Sequence, residues 1–305
     1  MQFKTGDSKT LKISAFHLSY IKLKAFQVGN SGMGVVSVGY GTLDLTNVQA
    51  NINLTQHGRK VNVYSGTLDK LLRHQRLIEN DYPHSTNFEL GYAERLQNSF
   101  PTGNTAICYS RIDFLTMLNL GSSDLLELDI TVKTGTFDLT SSNQTLSYLE
   151  LEPIAGIGLQ TGIPKIDVYN VNAASDSFSE PLGSSIVNLT YHNTDKSFTA
   201  ATEVFNSVQV QSDKLSQIYD FADMTNIRRN LVADFALESD LDQNFPIHVG
   251  AKLNNLKLDI SFNSAQITAG KNYIVATRML VPKRLAQAFA FRANKHQAEE
   301  AARIV

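Results

Sequence analysis

Leu126-Glu127-Leu128-Asp129-Ile130-Thr131-Val132 alternates apolar and polar side chains, and Leu256-Lys257-Leu258-Asp259-Ile260-Ser261-Phe262 repeats it in the same phase. Successive side chains of a strand point to opposite faces, so a period of two predicts a strand with one face in a core. The same alternation runs through Leu11, Ile13 and Ala15, through Ile21, Leu23 and Ala25, and through Val48, Ala50, Ile52 and Leu54. Tyr273 to Leu280 reads as a more continuously buried strand. Turn-forming clusters separate these runs, among them Gln56-His57-Gly58-Arg59, Thr140-Ser141-Ser142-Asn143 and Thr268-Ala269-Gly270-Lys271-Asn272.

Helical spacing is rare. Thr67 to Leu77 places Leu68, Leu71 and Leu72 at i, i+3 and i+4, with Ser65 ahead of it as a cap. Ser110 to Leu120 and Ser212 to Asp223 are further helix candidates with weaker periodicity. Pro282 to Arg303 is Ala-rich, has no Gly and begins with a proline suited to a first turn, so it reads as a C-terminal helix. The expected class is all-β with short inserted helices.

The repeated strand belongs to a longer series. Asn53-Leu54-Thr55 recurs as Asn188-Leu189-Thr190, 73 and 68 positions ahead of the two Leu-x-Leu-Asp-Ile strands. Phe88-Glu89-Leu90 answers to Phe235-Ala236-Leu237, Phe100-Pro101 to Phe245-Pro246, and the strand from Tyr148 to the strand from Tyr273. Several matches in one order point to a tandem duplication; one large sandwich or a solenoid is the alternative. Ile154 to Pro164 holds three Gly and a Pro, as a linker should. The expected division is a first domain at 1–154, a linker at 155–164, a second domain at 165–282 and a basic helix at 283–305. Each half has room for about eight strands of five to six residues, and eight antiparallel strands in two facing sheets make a jelly roll.

The 305 residues include 18% charged and 42% hydrophobic residues, while Ser, Thr and Asn together number 73. Neutral polar residues suit strands and turns better than long surface helices do. The net charge of −2 argues against sequence-specific nucleic-acid binding. Cys108, the single cysteine, excludes intrachain disulfides and cysteine-rich metal sites. The N-terminus lacks the apolar stretch of a secretory signal, and no run reaches 18 apolar residues, so neither export by that route nor a spanning helix is expected.

Catalytic motifs are missing. Gly29-Asn30-Ser31-Gly32-Met33-Gly34 precedes a strand, Val35 to Gly41, rather than a helix, and so reads as a turn or bulge instead of a phosphate loop. No Gly-x-Ser-x-Gly or His-Glu-x-x-His occurs. The seven histidines show no ligand spacing, and His57 and His192 read as turn or rim residues. Glu238 to Asn244 begins like a calcium loop, but Phe245 stands where Gly is needed; it reads as a solvated acidic loop, with a weak interfacial Ca²⁺ site as the alternative. Cys108 reads as a small buried hydrophobe. Neither cofactor nor enzyme activity is expected.

One charge asymmetry remains. Lys283, Arg284, Arg292, Lys295 and Arg303 against Glu299 and Glu300 give the tail +3, leaving −5 for the rest of the chain's −2. Leu285 and Phe289 lie one turn apart on the same segment. It suits a helix packed on a subunit or one facing an anionic surface.

Taken with the paired β domains, the run from Val48 to Asn80 suggests a family: a strand, the His57-Gly58 turn, a second strand at Val61–Tyr64, then Leu68-Asp69-Lys70-Leu71-Leu72-Arg73-His74-Gln75-Arg76. This resembles the double jelly-roll major capsid proteins of icosahedral viruses with an internal membrane, in particular those of tailless bacteriophages (tectiviruses, corticoviruses and finnlakeviruses). The resemblance implies two tandem eight-stranded jelly rolls and a homotrimer forming a pseudo-hexagonal capsomer. It further implies neighbouring capsomers, penton and minor capsid proteins and viral membrane lipids as partners, with assembly in the host cytoplasm and residence in the virion. On it, Lys283, Arg284, Arg292, Lys295 and Arg303 would face the membrane. The second half lacks an equally clear Leu-rich helix, and the basic segment is C-terminal, both departures from the family pattern. A phage spike or carbohydrate-binding β sandwich, and a major capsid protein of the tailed-phage type, are the other readings; the first is weakened by the absence of Trp and the second by the lack of a long helix before the tail.

Overall fold

The alternating runs become strands because each can bury one face only by joining a sheet. The computed structural model describes residues 1–29, 43–79, 92–100, 103–139, 142–171, 176–194, 203–231, 243–263, 265, 267–268 and 270–280, and of 76, 79, 92–100, 103–108, 228–231, 243 and 249–251 the backbone alone. Two antiparallel sheets form from the first half. One runs in the order β1 (Gln2–Phe3), β9 (Tyr148–Ala155), β3 (Phe16–Val28), β7 (Gly103–Leu120), β6 (Tyr92–Phe100); the other runs β2 (Ser8–Ile13), β8 (Leu125–Val132), β4 (Val48–Gln56), β5 (Arg59–Thr67). Two more form from the second half: β10 (Ile163–Asn170), β17 (Asn272–Leu280), β12 (Ile186–Asn193), β15 (Gln243–Leu253), and β11 (Ser177–Gly183), β16 (Leu256–Phe262), β13 (Phe205–Gln211), β14 (Ser216–Tyr219). Helix α1 (Leu68–Glu79) follows β5 directly, and α2 (Phe221–Leu231) follows β14 after one residue.

The two halves repeat pairing for pairing. β2–β8–β4–β5 answers to β11–β16–β13–β14, and β1–β9–β3–β7 to β10–β17–β12–β15. Leu128 lies between Leu11 and Ile52, and Leu258 between Glu180 and Val210, so the two leucines hold equivalent places in the middle strands. Non-consecutive neighbours in two facing sheets are the jelly-roll arrangement. The first half adds β6 as a hairpin partner of β7, a ninth strand.

Several local readings change. Ser110–Leu120 is the end of β7, paired to β3 on either side of a bulge at 114–117, because Ile112, Phe114, Leu118 and Leu120 bury one side of a strand. Ser212–Asp223 divides into a turn, β14 and the start of α2. Ser65 does not cap α1, since β5 continues through Thr67. The Asn-Leu-Thr triplets are not equivalent: Asn53–Thr55 lies in β4, whose counterpart is β13, whereas Asn188–Thr190 lies in β12, the counterpart of β3. Phe100 ends β6 while Phe245 lies in β15, so that match fails too. Half-buried strands share a composition, and short matches between them arise without common position. Phe88–Leu90 and Phe235–Leu237 lie outside the described residues.

Along the crossing segment, Cβ atoms at Gly156, Gly158 and Gly162 would stand 2.6–2.9 Å from side-chain atoms of Ser19, Met117 or Met279. Glycine lets the backbone lie against both halves there.

The inner faces carry the stability. Leu128→Ala and Leu258→Ala, both at fully buried sites, should each cost about 2–5 kcal/mol in urea denaturation. Lys257→Ala, on the wet face with its side chain 48% exposed, should change stability by no more than about 0.5 kcal/mol. Equal costs at 257 and 258 would contradict the assigned faces.

Candidate functional site

Helix α1 buries Leu68, Leu71 and Leu72 against its own jelly roll, as the i, i+3, i+4 spacing requires. Gln75 fixes it to β7 by exchanging two hydrogen bonds with the backbone of Asp113. The rest of the helix is also covered, although it is polar: Asp69, Arg73 and His74 are 4%, 4% and 0% exposed. Arg73 Nε donates to Asp69 Oδ1 at 2.9 Å, so the two buried charges pair one turn apart on the helix. His74 reaches across to the second jelly roll.

There it joins a chain of buried groups whose direction is set at one end. The carbonyl oxygen of Asn244 can only accept, so His192 Nδ1 carries the proton and donates to it at 2.7 Å. The Nε2 of a neutral His192 then accepts from the Thr190 hydroxyl at 2.7 Å. With its proton used, Thr190 Oγ1 accepts from His74 Nδ1 at 2.6 Å, and His74 Nε2 accepts from the Thr277 hydroxyl at 2.6 Å. All five residues are fully buried. His192 stacks on Tyr273 with centroids 4.9 Å apart, and Lys70 Nζ sits 4.7 Å from the same tyrosine ring while donating to Asn170 at 2.8 Å.

This arrangement holds both imidazoles neutral. Burial pushes His74 down to about 3. His192 is lowered well below the ordinary value by burial first, then by His74, Arg73 and Lys70 nearby. A fully satisfied network of this kind specifies one docking geometry, because any shift leaves a buried donor or acceptor unpaired. Its groups are spent on one another, and it acts as a mechanical joint between the two halves; among the described residues no group of three His, Cys, Asp or Glu that could hold a metal occurs.

The readings of individual residues divide. His57 occupies the β4–β5 turn with φ of 52°. His192, expected at a rim, is instead buried in the joint, because both faces of β12 are covered. Asn244, the last residue of the calcium-like run, accepts from His192, and Glu238 to Asp242 lie outside the described residues. Cys108 stands opposite Ala25 and Ala93 in the sheet, and its side chain is not described. Gly29 bridges Ser142, and residues 30–42 lie outside the description, as do Lys283, Arg284, Arg292, Lys295 and Arg303. Sequence gives little sign of the joint: Asn188, Thr190 and His192 alternate with apolar residues in β12, as they would in a strand with one wet face.

No known family profile matches the chain, and no curated protein does. Among solved structures, the PBCV-1 virus capsid matches with a TM-score of 0.51 and 10% identity, over 90% of this chain and 90% of that one. The major capsid protein of Sulfolobus turreted icosahedral virus (0.49, 11%, 92% and 94%) and the major capsid protein P2 of bacteriophage PM2 (0.47, 11%, 91% and 93%) are similar at lower scores. The PBCV-1 match covers nearly all of both chains, and the pairing order above is repeated in both halves of this one. The fold is a double jelly roll.

The joint makes stability fall with acid. Both histidines bind protons more weakly folded than unfolded, so their contribution is complete above the unfolded value of 6.5 and is lost as pH drops below it. Each adds a slope of about 1.4 kcal/mol per pH unit well below that value. Urea midpoints between pH 6.5 and 4.5 should therefore fall steeply, and His74→Gln should remove about one proton's worth of the slope. An unchanged slope in that variant would show that His74 is not held neutral.

Proposed function

We propose that this chain is the major coat protein of an icosahedral virus, a structural protein without catalytic activity that assembles as a homotrimer with six jelly rolls around a ring. The observation that carries this reading is the fold shared with the PBCV-1 virus capsid across 90% of both chains. The rigid joint at His74 supports it: a shell unit needs its two domains held at one angle, and the buried network permits only one. A surface rich in neutral Ser, Thr and Asn suits wide lateral contacts, since few charges must be desolvated. The partners on this reading are copies of itself, neighbouring capsomers and penton and minor capsid proteins, with assembly in the host cytoplasm and residence in the virion.

The basic tail at 283–305 extends the reading. β17 ends at Leu280, paired with Ile163 beside the crossing segment, where Ile157 and Leu159 stand exposed. Lys283, Arg284, Arg292, Lys295 and Arg303 would there approach anionic headgroups of an internal membrane, at about 1 kcal/mol per basic residue.

Native mass spectrometry of the purified protein should give a trimer or multiples of it, and electron microscopy should show pseudo-hexagonal particles or shells. A monomer at micromolar concentration with lectin or hydrolase activity would overturn the coat-protein reading. Truncation after Pro282 should abolish salt-sensitive flotation with anionic liposomes and leave the trimer intact. Loss of the trimer with liposome binding retained would make the tail a subunit clamp.

A further inference from the structure

The duplication sets up a second joint that a single chain leaves open. The registers align the halves residue by residue. Leu149 and Leu151 of β9 are core-facing opposite Ala25 and Leu23 of β3, as Ile274 and Ala276 of β17 are opposite Tyr191 and Leu189 of β12. The wet-side neighbours then correspond: Lys24 to Thr190, Phe26 to His192, Tyr148 to Tyr273 and Glu152 to Thr277. An independent contact agrees with this alignment. Phe26 stacks on Tyr148 with centroids 4.9 Å apart at 23°, and His192 stacks on Tyr273 at 4.9 Å and 20°.

The helices align in the same way. Gly66 and Tyr219 lie opposite Ala50 and Val208, which places the first residue of α1, Leu68, level with Phe221 of α2. Leu71 then corresponds to Met224, and both are fully buried in their own jelly rolls. Arg73 corresponds to Asn226 and His74 to Ile227.

Equivalent positions differ sharply in cover. Arg73 and His74 are buried against the second jelly roll, whereas Asn226 is exposed and Ile227 half-exposed. Thr190, His192, Tyr273 and Thr277 are at most 1% exposed, whereas Lys24 and Glu152 expose 25% and 61% of their side chains, and Phe26 and Tyr148 are half-buried. Among the described residues the chain thus has a helix face left partly open at Asp223, Asn226 and Ile227, although Ile227 also touches the edge of its own core, and a sheet face with no docked helix.

We propose that these two faces meet between copies: α2 of one chain packs on the β9–β3 face of the next, as α1 packs on the β17–β12 face within the chain. The chemistry fits a second copy. Ile227 replaces the histidine and brings an aliphatic side chain to the stem of Lys24 and the ring of Phe26, so this joint needs no buried polar chain. Asp223, at the place of Lys70, brings a carboxylate to a face where Lys22 and Lys24 pair with Glu152 and Glu150, so the lysines can turn to it while the face stays balanced in charge. Two different surfaces are used, so the contact is head-to-tail and propagates in one direction until it closes. This inference rests on the coat-protein reading for its biological use, but the contact is testable by itself.

The test uses two variants that each add one cysteine to Cys108, Ile227→Cys and Lys24→Cys, co-expressed with different tags and treated with a short bis-maleimide. Wild type, carrying Cys108 alone, sets the background, and unchanged melting of each variant verifies the fold. Covalent dimers containing both tags are expected only from the co-expressed pair, with at least a tenfold excess over either variant alone. Linkage of Ile227→Cys to itself would mean a two-fold contact and overturn the proposal. Absence of linkage would overturn it as well. If native mass spectrometry then still shows a trimer, the coat-protein reading survives and only this interface is wrong; a monomeric wild type would remove both.

Discussion

The hydrogen-bonded series from Thr277 through His74, Thr190 and His192 to Asn244 is the constraint on which the arrangement of the two jelly rolls depends. Apolar contact alone would hold α1 against the second sheet, but it would tolerate sliding. A polar series buried from water tolerates none, since each displaced hydrogen bond leaves a desolvated group costing about 1–3 kcal/mol. The angle between the domains is therefore set by chemistry more specific than burial.

That joint also explains an unusual strand. β17 is covered on both faces: Ile274 and Ala276 point into the second core, while Tyr273 and Val275 join the cluster that includes Leu68, Leu71 and Leu72 of α1. The core of the first jelly roll thus continues through its helix onto the outside of the second. Its counterpart β9 has Leu149 and Leu151 on the core side, but Glu150 and Glu152 on the other, paired with Lys24 and Lys22. One duplicated sheet has become an internal interface and the other has kept a wet, charged face. The two copies of the fold diverged where their neighbours differ, and stayed alike where both face a core.

Much of this was legible beforehand where a residue's neighbours are determined by period alone. The alternation at 48–54, 126–132 and 256–262 gave strands with the expected inward faces, and Leu68, Leu71 and Leu72 gave a helix. Ser110–Leu120 misled because a strand buried on one side and bulged near Leu115, with φ of 57°, breaks the period of two and imitates a helical one. The Asn-Leu-Thr match misled for the opposite reason: three residues of any half-buried strand look alike, and only pairing partners tell β4 from β12.

By itself the sequence determined that the chain is β-rich, that it contains a repeated strand in one pleat phase, and that a Leu-rich helix follows the second strand of a hairpin. Those are local properties, set by the geometry of one strand or one helix turn. Tertiary structure alone decided that His74 meets Thr190 and Thr277, 116 and 203 residues away. Hydrogen bonds between groups so distant leave no period in the chain, because any polar residue on the right face would read the same until the opposing sheet supplies its partner.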